Sequence, residues 1–228
     1  MSRTTARIWP SALAVLLALA GCAAKPVPPD WQRSAHDAAE RATQAYLKGD
    51  DRVARQEWRN ARAEVARTGS PALLARLELM RCAAEVASLD GDGCPAFEAL
   101  RADAEAPERA YEAYLAGRAS AADRTLLPPA QRSAATDPAA IAAIQDPLAR
   151  LVAAGAALQA GRATPEVLVS ATDTASAQGW SRPLLAWLQA RAQRARVLGD
   201  EALAQALERR IALVRSHGKP PAGTAPQS

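Results

Sequence analysis

The chain has 228 residues and a formal net charge of +4, with 49% hydrophobic, 23% charged and only 4% aromatic residues. That length suits one domain or two small lobes, and so even a charge balance gives no reason to expect nucleic acid as a partner. Alanine is abundant and has the highest intrinsic helix propensity, so the composition favours closely packed helices.

The N-terminus carries Arg3 and Arg7, then the apolar run SALAVLLALA over residues 11–20. A membrane-spanning helix needs about 20 apolar residues. This run is too short and reads as the middle of a secretory signal, with a charged start and a small-residue exit. The exit is Leu19-Ala20-Gly21-Cys22. These four residues resemble the lipobox of bacterial lipoproteins. The resemblance implies diacylglyceryl transfer to the Cys22 thiol, cleavage after residue 21 and acylation of the new amine. Several acyl chains anchor firmly, where one binds a membrane only marginally. By analogy with lipoprotein sorting in Gram-negative bacteria, Ala23 in place of Asp implies the outer membrane, with the domain facing the periplasm. The plainer reading of the same residues is a secreted protein with a chance cysteine. The expected order is a signal over 1–21, then a lipidated Cys and a tether over 22–29. Pro26, Pro28 and Pro29 favour an extended polyproline conformation in that tether, at about 3.1 Å per residue.

Helices follow without a break. Asp30 is placed to cap the first, over 30–48, with Trp31, Ala35, Ala38, Ala42 and Ala45 on one face and Gly49 at its end. Asp50 or Asp51 caps the second, with the stripe Ala54, Trp58, Ala61 and Val65, closed by Gly69. Ser70-Pro71 starts the third. Its Leu73, Leu74, Leu77, Leu79, Met80, Ala84 and Val86 cover more than half the circumference, which predicts a central helix buried from two sides. Pro95 opens a short helix with Phe97 and Leu100, and Pro107 another with Tyr111, Tyr114 and Leu115. Cys82 and Cys94 flank the turn between the third and fourth helices. An oxidising periplasm permits them to pair, at about 3 kcal/mol of stabilisation; the other reading is two separate buried thiols.

Residues 118–146 are weakly apolar, with breakers at Pro128, Pro129 and Pro138. They read as an irregular connection between an N-terminal lobe over 30–117 and a C-terminal lobe over 147–217. The second lobe restarts at Asp146-Pro147 with Leu148, Leu151, Val152, Gly155 and Leu158, where Gly155 on the stripe predicts a close helix crossing. Thr164-Pro165 starts the next helix. Ser181 is placed to cap another, with Leu184, Leu188, Ala195 and Leu198. Asp200 caps the last, with Ala204, Leu207, Ile211 and Val214. The tail over 218–228 is too polar and Pro-rich to bury anything. No stretch alternates as a strand does.

Gly49, Ala54, Trp58 and Ala61 have a further meaning. A turn residue followed by small, aromatic and small residues at these spacings resembles the second half of a tetratricopeptide repeat. The small residues let two helices approach and the aromatic fills the groove between them. The resemblance covers about 35 residues. Arg41 and Ala42 depart from the repeat's Leu and Gly, and the other reading is a plain helical hairpin. Either way the expected fold is all-α, with antiparallel helix hairpins stacked as a tetratricopeptide-like or short α-solenoid domain.

Catalytic patterns are absent from the sequence. The two histidines, His36 and His217, lie far apart. No H-E-x-x-H, G-x-S-x-G or Walker loop occurs. Ser216-His217-Gly218-Lys219 matches S-x-x-K only formally. The Asp90–Gly93 turn lacks the Gly and Glu that an EF-hand needs downstream. No enzyme, cofactor or metal site is expected. One charge feature stands out: residues 180–219 hold eight basic side chains against three acidic. Arg191, Arg194, Arg209, Arg210 and Arg215 offer a candidate face for an anionic partner such as lipopolysaccharide or peptidoglycan; a solvated helix face is the alternative. The expected function is a membrane-anchored periplasmic scaffold or adaptor that binds envelope proteins through its hairpin surfaces. Envelope-ligand binding through the basic C-terminal helices is the second reading.

Overall fold

A computed structural model of the protein describes residues 28–91 and 93–216. The expected signal, the lipobox-like residues ending at Cys22, most of the expected tether and residues 217–228 lie outside the described residues. Those described are all helical, with no strand among them.

The first hairpin is α1 (Asp30–Lys48) and α2 (Asp51–Ala66), followed by α3 (Pro71–Ala87). Gly49 turns α1 into α2 at φ +86°, a left-handed backbone that favours glycine. Local capping does much of the placement. The side chains of Asp50, Ser70, Asp146, Thr164 and Asp200 each accept a hydrogen bond from the backbone amide three residues on. Asp30 and Ser181 do not cap. Pro29 holds the cap position of α1, and Asp30 in the first turn pairs with Arg33 instead. The Ser181 hydroxyl donates to the Lys48 carbonyl, 2.7 Å away, and so satisfies an open carbonyl at the end of α1.

After α3 the chain makes short pieces. They are α4 (Pro95–Glu98), a 3-10 turn (Arg101–Asp103), α5 (Ala106–Leu115), α6 (Ala121–Leu126), α7 (Pro129–Ala134) and a second 3-10 segment (Pro138–Ala143). Four longer helices complete the fold: α8 (Pro147–Gln159), α9 (Pro165–Gln178), α10 (Ser181–Val197) and α11 (Glu201–Arg215). None of the described helices is long and apolar enough to cross a membrane.

The expected division into two lobes is not what the core shows. One continuous apolar cluster takes Leu79, Cys82 and Val86 from α3, Leu151 to Ala157 from α8, and Val167, Leu168 and Trp187 from α9 and α10. The segment read as a connection supplies Leu127, Ala134, Ile141 and Ile144 to the same cluster. Residues 118–146 look weakly apolar because each short turn points only one or two side chains inward.

Helix α8 is buried on every side from Leu151 to Ala157, as its nearly unbroken apolar sequence requires. It crosses α3 at Gly155, where an added Cβ would lie 2.3 Å from the Val86 carbonyl oxygen. The close crossing expected from the Gly155 stripe is therefore present. Two smaller clusters hold the ends: Ala35, Ala38, Ala42, Trp58, Ala61 and Val65 in the first hairpin, and Leu188, Ala192, Leu207 and Ile211 in the last. Three residues expected inside are outside, the first being Leu158 at the end of α8, 36% exposed. Met80 is 42% exposed and Leu198 70% exposed, because no helix covers that side of α3 or the tip of α10.

Candidate interaction surfaces

The residues singled out for the repeat resemblance build the hairpin. Ala54 and Ala61 are buried, so α1 and α2 approach closely, and Trp58 fills the space beside them with 9% of its surface exposed. Cys82 and Cys94 form a disulfide with Cα atoms 5.5 Å apart. It ties the middle of α3 to the start of α4, beside the fully buried Phe97.

Two grooves flank α3. The first lies between α3, α5 and the turn from α6 to α7, with a volume of about 440 Å³. Leu79, Met80, Tyr111, Leu126, Pro128 and Pro129 make it apolar, and both Met80 and Leu126 are 42% exposed. Glu108 stands in its wall. One carboxylate oxygen, Oε1, accepts from Arg76 Nε at 2.9 Å and Nη2 at 2.6 Å, while Oε2 is buried with no hydrogen-bond partner among the described residues. Burial pushes the Tyr111 phenol up to about 12, so it stays a neutral donor.

The second groove lies between α2 and α3, about 350 Å³ in volume, with Tyr46 and Trp58 at its base and Arg55, Arg59, Arg62 and Arg81 along its walls. Arg62 Nε donates to Glu78 Oε1 at 2.8 Å, and Arg81 Nε to Glu85 Oε1 at 3.0 Å. Burial raises the Glu85 carboxyl above its ordinary value, against the pull of Arg81. At the Tyr46 end the phenol donates to Asp90 Oδ2 at 2.8 Å; burial first, then that bond, holds it well above the ordinary tyrosine range. Arg182 reaches in from α10, lies 4.3 Å over the Tyr46 ring and pairs with Asp51.

The basic C-terminal face is less unified than its composition implies. Arg182 is committed to the contact with α1 and α2, and Arg196 pairs with Glu208 at 2.5 Å. Arg191 is half-buried; burial, then the adjacent Arg210, lowers its pKa from the ordinary guanidinium value. Arg194, Arg209, Arg210 and Arg215 are exposed, and none of these five lies in an ion pair among the described residues. Arg191 and Arg210 come together, but at 100° per residue Arg209 and Arg215 project about 120° apart on α11. The five arginines therefore do not share one face. Val197, Leu198 and Leu213 are exposed among them.

Sequence reasoning missed both grooves. The signal for the second was present, because Arg52, Arg55, Arg59 and Arg62 recur at intervals of three and four. The first is made by the meeting of α3 with the turns after α5, for which no local pattern exists. Compared with family models, curated proteins and solved structures, the chain matches none.

Proposed function

We propose that the chain is a lipid-anchored adaptor of the outer membrane that faces the periplasm and binds envelope proteins through its helical grooves. The observation that carries this reading is the apolar groove between α3, α5 and the α6–α7 turn. Met80 and Leu126 present apolar surface there at little conformational cost, since the turn is held by Pro128 and Pro129 and the wall by the Arg76–Glu108 pair. An exposed apolar patch with a polar rim is the usual mark of a protein-binding surface. The Cys82–Cys94 disulfide supports export, because such bonds persist in oxidising compartments. The lipobox-like residues ending at Cys22 support the anchor.

In-cell crosslinking followed by purification from outer membranes tests the adaptor. A stoichiometric protein partner is expected, lost when Met80→Glu and Leu126→Glu are introduced together. Recovery of the chain with only glycan or lipopolysaccharide would favour the second reading, which rests on Arg191, Arg194, Arg209, Arg210 and Arg215, none of them in an ion pair among the described residues. The anchor has its own test: Cys22→Ser is expected to move the protein from the membrane to the soluble fraction, and retention in membranes would reject lipid attachment.

A further inference from the structure

We propose that the groove between α2 and α3 is a docking site for an extended acidic peptide segment. It is a different surface from the apolar groove, and its case does not depend on that reading.

The case starts with charge accounting. Four arginines serve five carboxylates in or beside the groove: Asp51 and Asp90 share Arg182, Glu78 has Arg62, Glu85 has Arg81 and Glu57 has Arg41. Arg52, Arg55 and Arg59 have none within ion-pair distance among the described residues. Arg59 Nη2 reaches only the neutral Gln56, at 2.5 Å. Those three guanidiniums outweigh the one carboxylate charge left over at Arg182 and the helix-capping Asp50, so the net charge stays positive, and they lie along one flank of α2, beside the buried stripe of Ala54, Trp58 and Ala61. The apolar base formed by Trp58 and the Tyr46 ring lowers the local dielectric, which strengthens an ion pair made above it.

Spacing points to a chain and not a single small anion. From Arg52 to Arg59, the run of arginines without an ion pair among the described residues, the helix rises about 10 Å at 1.5 Å per residue, too far for one phosphate or one carboxylate to span. The rise from Arg55 to Arg59 is about 6 Å, close to the roughly 6.6 Å that separates alternate side chains of an extended strand. A segment with acidic residues at alternate positions places one carboxylate on each guanidinium, where arginine can bind bidentately. Its intervening side chains then face solvent or the Trp58 edge.

The test uses the full-length chain in a nonionic detergent and a fluorescein-labelled alternating Glu-Ala octapeptide, read by anisotropy at low salt. Binding is expected, weakening steeply as salt rises. Arg55→Glu with Arg59→Glu is expected to lower affinity at least tenfold. Both side chains are exposed, so the melting curve of this variant should match the parent and a folding defect will not imitate the effect. Met80→Glu, and separately Arg209→Glu with Arg210→Glu, are expected to change affinity less than twofold. Three results would each overturn the proposal: no binding of the octapeptide, binding indifferent to the Arg55 and Arg59 reversals, or equal competition by an oligodeoxynucleotide of the same charge. The last would mean that the surface reads charge alone. Loss of the crosslinked partner in the Met80 and Leu126 variant bears only on the apolar groove, so the two surfaces succeed or fail separately.

Discussion

Gly155 is the residue where α3 and α8 meet with no side chain between them. A methyl group there would lie 2.3 Å from Val86 O and 2.8 Å from Val86 Cγ1. The first neighbour is backbone, so the helices themselves must separate. Gly155→Ala raises helix propensity locally, yet overpacking costs about 1–3 kcal/mol and wins. A lower thermal midpoint is expected, and an unchanged or higher one would deny the crossing. Glu85 gives the opposite sign. Burial raises its pKa in the folded chain, so the unfolded chain ionises first as pH climbs. Its share of stability is therefore fully present below the ordinary carboxylate pKa and is lost as pH rises through the raised value. Glu85→Gln removes that loss and keeps an oxygen for Arg81. The variant is expected to melt higher than the parent at pH 7 and alike at pH 3; a lower midpoint at pH 7 would show that the Arg81 pair outweighs burial. Gly155 was legible because a glycine on an apolar stripe has few other uses. Trp187 was not legible, although it is wholly buried and its Nε1 donates to the Ala87 carbonyl at 3.0 Å. That partner lies 100 residues away, and nothing near Trp187 in sequence announces it.

At the scale of elements, the longer helices were readable because their signals are local. Cap, stripe and terminal glycine all sit within a few residues of each other, and the caps failed only where another group took the side chain, as at Asp30 and Ser181. The short pieces between α3 and α8 were legible as turns but not as core, since periodicity needs more than one turn to show which side is apolar. The disulfide stabilises this least regular part. It closes a loop of 12 residues between α3 and α4, worth about 3 kcal/mol in the chain-entropy account. Phe97, Leu100 and the Arg101 contacts to Glu98 and Glu112 lie just beyond that closure in the chain. Replacing Cys82 and Cys94 by Ala is expected to cost roughly that amount and to speed hydrogen exchange first over residues 88–104. Reductant should do the same to the parent and nothing further to the variant. Equal midpoints for parent and variant would show that α4 is held by burial alone.

The whole molecule is closed by α10, which packs back on the first hairpin. Trp180 Nε1 donates to Gln44 Oε1 at 3.3 Å, Ser181 to the Lys48 carbonyl, and Arg182 Nε to the Tyr46 carbonyl at 2.8 Å, with Asp51 as its ion-pair partner. These bonds join residues more than 130 apart in sequence, and with the α3–α8 crossing they make one ring of contacts where two lobes were expected. A ring with a shared core should unfold as a unit, whereas two lobes joined by a linker would unfold in two steps. Far-ultraviolet circular dichroism and tryptophan fluorescence report on different parts: all helices for the first, the neighbourhoods of the tryptophans for the second. Their thermal transitions are expected to coincide. Arg182→Ala removes a charge-assisted bond worth about 1.5–3 kcal/mol, and in a unit of this size that lowers the midpoint by about 5 °C. The decisive feature is that both signals should shift together, although Arg182 touches only one side of the ring. If the variant instead separated them into two transitions, the closure would be a contact between independent lobes, and each groove beside α3 would belong to a body able to move without the other.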